Sequence, residues 1–319
     1  MALDIILGAI SIGIVFLYGS VGEIITEKSG HLNLGIPGIM CMGTAGGMLG
    51  ISVYMNSLAN VKNASWLSLV FIPLICAFLF AAFGGLIYAF LTVSLKSNQN
   101  VVGLAITTFG AGFSQFFIDK FVDTTYIARA RKIISQGFSF TSNLGPTNIS
   151  YGFLAYLAIL LAVAAAFILK RTKIGLRLRA VGENPATADA VGINVTAYKY
   201  FAIFIGSGIA GLGGLYYVAG YTTFDNTLTI QTFGWLAVAL VIFTMWRPDL
   251  SIIGSILFGG LYVVGSKMTT VISSLATQEI ILLLPYVVTI IVLIFTSIFG
   301  SKNVQPPAAL GLNYFREDR

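Results

Sequence analysis

From Trp66 to Leu95 the chain runs for 30 residues without an Asp, Glu, Lys, Arg or His. A helix needs about 20 apolar residues to cross the hydrocarbon core of a bilayer, so this run crosses with tilt or with a break, expected near Gly84-Gly85. Comparable runs recur at Ile5–Gly22, Ile36–Asn56, Val101–Ile118, Tyr151–Leu169, Tyr200–Ala219, Phe233–Trp246, Ile252–Ser266 and Ile280–Phe299. Only 9% of the 319 residues are charged, against roughly 25% in soluble domains, too few to cover a water-facing surface. The runs are continuously apolar and do not alternate, which selects helices over a membrane β-barrel. The expected fold is an all-α polytopic integral membrane protein of about nine spans. The seventh and eighth fall short of ~17 residues, so the count lies between eight and ten. No linker divides the chain, and residues 1–319 form one membrane domain. Ile5–Gly22 has neither a basic leader nor a small-residue cleavage site, and is expected to be a retained helix.

The net charge of +6 is an orientation signal, because the basic residues sit between the apolar runs. With nine spans and the C-terminus in the cytoplasm, the cytoplasmic segments hold Lys28, Lys96, six residues of the 170–199 loop, Arg247, Lys302, Arg316 and Arg319. That is twelve of the eighteen Lys and Arg, and it places the N-terminus outside. Cys41 and Cys76 both fall within spans, which argues against a disulfide framework or zinc site, and His31 is the single histidine.

The loop from Lys170 to Lys199 is the most polar stretch between spans, with Lys170, Arg171, Lys173, Arg177, Arg179 and Lys199 against Glu183 and Asp189. It contains a helix signal: Asn184 suits an N-cap, Pro185 the first helical position and Gly192 a left-handed stop. A helix over 185–191 is too short to stand alone, so the rest of the protein or a partner must hold it.

The wording of Gly175 to Asn194 resembles the coupling loop of ATP-binding-cassette import permeases, in the branch that carries branched-chain amino acids, simple sugars and nucleosides. Three further stretches resemble that family: Gly22 to Gly38 with its Asn-Leu-Gly core, Asn98 to Ala105, and Trp246-Arg-Pro248 followed by Gly254 and Phe258-Gly-Gly260. The order is most similar to the second, smaller permease subunit of nucleoside importers, in which two different permease chains pair. The resemblance implies a type II importer-like permease whose coupling helix docks on a cytoplasmic ATPase subunit. The coupling residues it implies are Arg179, Gly182, Glu183, Asn184, Pro185, Ala188, Asp189 and Gly192. It also implies a second, paralogous permease subunit and an extracytoplasmic binding protein, for which the external loop 119–150 is a dock. ATP and magnesium would bind the partner ATPase, with no cofactor bound by this chain and no enzyme activity in it. Nucleosides come first as cargo, then ribose-type sugars, then branched-chain amino acids.

Physics assigns a role to the polar residues independently. Asn33, Gln99, Asn100, Thr107, Thr108, Ser114 and Gln115 are uncharged and at or inside membrane depth, where polar groups must pair within the protein or line a wet pathway. The bland alternative is helix–helix hydrogen bonding, worth about 0.6 kcal/mol per contact. Glu23 lies near an interface, close to Glu27 and Lys28, where a structural role is expected. The glycine pairs Gly46-Gly47, Gly84-Gly85 and Gly213-Gly214 lack the Lys-Ser or Lys-Thr of a phosphate loop and suit close helix packing.

Two other classes of function fit less well. An ion-coupled secondary transporter places acidic residues or histidines near the bilayer midplane, whereas Asp225 and Glu279 sit at span edges. A membrane metalloprotease needs His-Glu-x-x-His, which one histidine cannot supply.

Overall fold

The computed structural model describes residues 2–58, 60, 63–136, 152–221, 226–269, 277, 280–281, 283–299 and 305–315. Among them the regular structure is helical throughout, with no strand. Two central helices organise the bundle, α2 (Ile36–Asn56) and α9 (Val195–Tyr216). In both, more than four-fifths of the most apolar stretch is buried by protein, against 39% in α3 (Trp66–Ala89), α4 (Gln99–Phe121), α6 (Phe153–Arg171) and α11 (Pro248–Thr269). The central helices can be surrounded because their glycines let backbones touch. A Cβ on Gly43 would lie 2.3 Å from the Gly211 carbonyl oxygen, so α2 and α9 meet backbone to backbone there.

The first helix, α1 (Ala2–Glu27), packs on α9 and α11. Its Gly22 faces Gly206 of α9 so closely that a Cβ on either would lie 2.3–2.4 Å from the other's carbonyl oxygen. The outer helices present Leu, Ile and Phe outward, as lipid-facing surfaces should: Phe71, Leu79, Phe109, Phe116, Leu160 and Phe167 are all exposed. Between α1 and α10 (Thr227–Phe243), Phe16, Tyr217, Phe233 and Tyr262 stack edge to face, with Phe233 at 5.2–5.7 Å from each of the others.

Seven helices are long and apolar enough to cross a membrane among the described residues, and two shorter apolar helices accompany them, Thr227–Phe243 and α12 (Leu284–Phe299). Each of the nine expected runs overlaps one of these helices, but by length and composition seven of them qualify as spans, not nine. The eighth run, expected to be short, is instead a 22-residue helix, because Pro248 starts it at its first helical position and it extends past Ser266. No break occurs at Gly84-Gly85. The helix continues to Ala89 and then widens into a π-helical turn at Phe90–Ser94, while the two glycines sit against Met42 and Ser207.

The 119–150 segment, expected to be an external loop, is in part helical. Residues up to Phe121 belong to α4, and Thr124–Gln136 form α5, an amphipathic helix with Ile127, Ala130 and Ile134 buried. The remainder of that segment, 137–150, lies outside the described residues, as do Tyr151, Asp225, Glu279, Lys302, Arg316 and Arg319.

Candidate functional site

The basic loop is largely helical. Lys170 and Arg171 end α6, and Thr172 then caps α7 (Lys173–Glu183) by accepting from the Gly175 amide at 3.1 Å. The sequence reading missed α7 because two glycines interrupt it. Both glycines are contact points: a Cβ at Gly175 would lie 2.1 Å from the Ile168 carbonyl oxygen, and one at Gly182 2.4 Å from that of Lys28. The cap at Thr172 and the buried pair Leu178 and Val181, three residues apart, were the available signals.

The short helix falls where expected, as α8 (Pro185–Ala190). Asn184 accepts from the Thr187 amide at 3.0 Å, Pro185 opens the helix, and Gly192 turns out of it at φ 84°. One side of α8 is fixed and the other is free. Ala188 is buried in a small cluster with Val181 and Val195, whereas Asn184, Thr187, Ala190, Val191 and Gly192 are exposed. Val191 is 71% exposed, a large apolar residue presented on a helix end with nothing of this chain over it among the described residues.

What fixes α8 is the C-terminal segment. The Ala309 amide donates to the Gly182 carbonyl at 3.0 Å, the Ala308 amide to Glu183 at 3.2 Å and the Gly311 amide to the Gly30 carbonyl at 3.2 Å. The Asn313 amide group donates to the Lys96 and Ser97 carbonyls, and the Tyr314 hydroxyl donates to Asp189 at 2.8 Å. The tail thus straps together the 28–35 connection, the start of α4, α7 and α8. At the same end, Lys170 pairs with Asp249 at 2.9 Å, beside an Arg247–Asp249 pair at 2.7 Å. Lys28, Lys96, Lys170, Arg179 and Arg247 therefore gather at one end of the bundle, as the charge distribution required. Burial lowers the Lys28 ammonium, and Arg179 adds to that while Glu183 and Glu27 oppose it. Burial, helped by the Lys199 ammonium, holds the His31 imidazole well below its ordinary value. No group of three or more potential metal ligands occurs among the described residues.

The match to known proteins covers nearly the whole chain. Residues 5–293 fit the family described as branched-chain amino acid transport system / permease component. The chain belongs to this permease family.

Three relatives are similar to it over nearly their whole length. A protein named as a glucose ABC transporter permease, TsgC13 of Haloferax volcanii, is 31% identical over 95% of this chain and 94% of its own length. The nucleoside ABC transporter permease NupC of Lactococcus lactis is 31% identical over 94% and 93%. The guanosine ABC transporter permease NupQ of Bacillus subtilis is 31% identical over 94% and 92%. The permease is accordingly a multi-pass membrane protein and a transport component, and subunits of this kind are not themselves enzymes.

Within the permease, the polar residues expected along a pathway fall into two groups. Asn33, Gln99, Thr107 and Ser114 are buried. Gln99 accepts from the Leu32 amide at 2.8 Å and donates to the tail at Leu312 and Asn313. Thr107 donates to the Leu34 carbonyl at 2.8 Å, and Ser114 donates within its own helix. Asn33 accepts from the Gly35 amide, and its own side-chain NH2 has no partner among the described residues. Asn100 and Thr108 are exposed, and Gln115, half-buried, donates to Asp119 and accepts from Thr227 of α10. Of the buried four, Gln99 and Thr107 join α4 to the 32–35 connection, while Thr108 and Gln115 mark other faces of α4.

Glu23, for which a structural role is expected, is buried together with Glu27. Glu23 accepts from the Asn33 amide at 3.0 Å, and Glu27 accepts from the indole N–H of Trp246. The sequence held a clue in their spacing, since positions four apart share one helix face, which here is the face turned to the 28–35 connection and to Trp246.

Proposed function

We propose that this chain is the permease subunit of an ATP-driven importer of nucleosides, with α8 as the helix that receives the stroke of a cytoplasmic ATPase subunit. The observation that carries the reading is α8 itself: a two-turn helix held from behind by Ala188 and Tyr314 and open in front at Thr187, Ala190 and Val191. A helix of this length has no stability of its own. Its anchoring to α7, to the tail and through them to α1 and α4 gives a push on α8 a rigid route into the bundle. Arg179, Gly182, Glu183, Asn184, Pro185, Ala188, Asp189 and Gly192 form that contact or support it. ATP and magnesium belong to the ATPase, whose hydrolysis shifts the bundle between two states by differential contact with α8.

The cargo reading leans on the nucleoside and guanosine permeases among the relatives, and on a pathway of uncharged polar groups such as Asn33, Thr107, Thr108 and Gln115 that suits a neutral solute. The glucose permease among the relatives supports a second reading, a simple sugar. In the first reading the permease pairs with a paralogous second permease and receives its cargo from an extracytoplasmic binding protein. The strap end faces the cytoplasm, because it gathers the basic residues.

The test is ATP-dependent uptake in proteoliposomes holding this chain and its co-purified partners, comparing labelled uridine or adenosine with ribose and leucine. Uptake of nucleoside alone confirms cargo and class. Sugar uptake keeps the class and replaces the cargo. Uptake that follows an ion gradient at constant ATP overturns the reading.

A further inference from the structure

Behind α8 lies a cavity of about 440 Å³, walled by His31, the π-helical turn that follows α3, the start of α9 and the C-terminal tail. That volume is in the range of small-molecule sites. Its electrostatics are one-sided. Lys199 lines it, is only 3% exposed, and makes no hydrogen bond or ion pair among the described residues. It lies one turn into α9, and helix side chains lean toward the N-terminus, so its ammonium is carried toward the positive end of the helix dipole. A cation at that end is unfavourable without a counter-charge. Val195 and Thr196 also line the cavity, and the Asn194 cap accepts from Ala197, which leaves the first two amides of α9 without a side-chain cap.

Lys96 adds a second positive charge, standing 4.3 Å over the Phe315 ring. His31, 1% exposed, lines the wall with both ring nitrogens unpartnered. The one carboxylate on the wall, Asp189, is occupied by the Tyr314 hydroxyl. A 22-residue helix N-terminus, an unpaired buried lysine and an unsatisfied imidazole around one cavity call for an anion that accepts many hydrogen bonds. A halide is too small for the space and accepts without directing.

We propose that this cavity binds a phosphate monoester, held by Lys199, Lys96 and the α9 amides of Val195 and Thr196. The site does not depend on the cargo or on the coupling role of α8. The group could arrive on a soluble molecule or on a lipid headgroup, and the experiment separates the two.

The full chain in nanodiscs is titrated with inorganic phosphate and with a nucleoside 5′-monophosphate, using the parent nucleoside as control. In parallel, native mass spectrometry follows retention of phosphatidic acid against phosphatidylcholine. Binding in either arm, weakened at least about tenfold by Lys199→Gln and kept by Lys199→Arg, is the expected result. Lys28→Gln, which lies outside this cavity, checks for loss of charge in general and leaves binding unchanged. No binding in either arm, or equal binding by wild type and a folded Lys199→Gln, overturns the site. A carbodiimide cross-link from Lys199 to a carboxylate of a co-purified ATPase also overturns it, by assigning the charge to a protein partner.

Discussion

The Tyr314 hydroxyl donates to the Asp189 carboxylate at 2.8 Å, across 125 positions of sequence. It joins the C-terminal tail to the last turn of α8, so the orientation of this six-residue helix is set by a residue that no local propensity could supply. A hydrogen bond to a charged group contributes about 1.5–3 kcal/mol, enough to decide the position of a helix that cannot hold itself.

Tyr314→Phe tests that link. Hydrogen exchange in 185–191 is expected to rise and ATPase stimulation by cargo to fall, with insertion and yield unchanged. Exchange equal to wild type would show that Ala188 and the Gly182–Ala309 bond suffice without it.

Gly192 has φ 84°, where an L side chain costs about 1–2 kcal/mol. There is open space around it, so the cost of Gly192→Val is conformational and not steric. The expected phenotype is ATP hydrolysis separated from uptake in a normally inserted protein, and Ala186→Trp on the same helix gives the same phenotype by bulk. Normal uptake in both variants would remove α8 from the coupling path.

At Gly206 the opposite holds. A Cβ there meets the Gly22 carbonyl oxygen and the Thr26 hydroxyl, each at 2.4 Å, and the backbone carbonyl cannot withdraw without moving α1. Gly206→Leu is expected to cost at least the ~1–3 kcal/mol of ordinary overpacking. The readout is a drop in monodisperse protein on size exclusion and in thermal midpoint. Gly112→Leu, where nothing lies within 4 Å, serves as the tolerated control.

His31 gives stability a pH dependence of known sign. Its ordinary value is 6.5, and burial followed by repulsion from Lys199 lowers it in the folded protein. Below 6.5 the unfolded chain binds a proton that the folded one refuses, so the His31 contribution is complete above that pH and is lost as pH falls toward the folded value. The groups facing it are Lys199, Lys96 and the Asp189–Tyr314 pair. The loss is at most about 1.4 kcal/mol per pH unit. Thermal midpoints of wild type and His31→Gln are expected to converge as pH falls from 7 to 5, roughly the window in which an ordinary imidazole titrates. A constant difference across that range would show that His31 does not titrate on unfolding.

Much of this protein was determined by sequence alone, wherever the signal is local. Uninterrupted apolar length defined the spans, because backbone polar groups in lipid must be satisfied within a helix. Asn184, Pro185 and Gly192 marked α8 to within a residue, because caps and left-handed stops are properties of single positions. Basic residues between runs predicted which segments share an end, since the charge bias acts segment by segment. Tertiary structure decided the rest. It converted Gly175 and Gly182 from helix interruptions into contacts inside α7, and it buried Glu23 and Glu27 against Asn33 and Trp246. It also placed Lys199, to all appearance a loop cation, inside α9 at the wall of a cavity. Each of these outcomes depends on which backbone or side chain from elsewhere in the chain arrives beside the residue, and that information is carried by no single stretch of sequence.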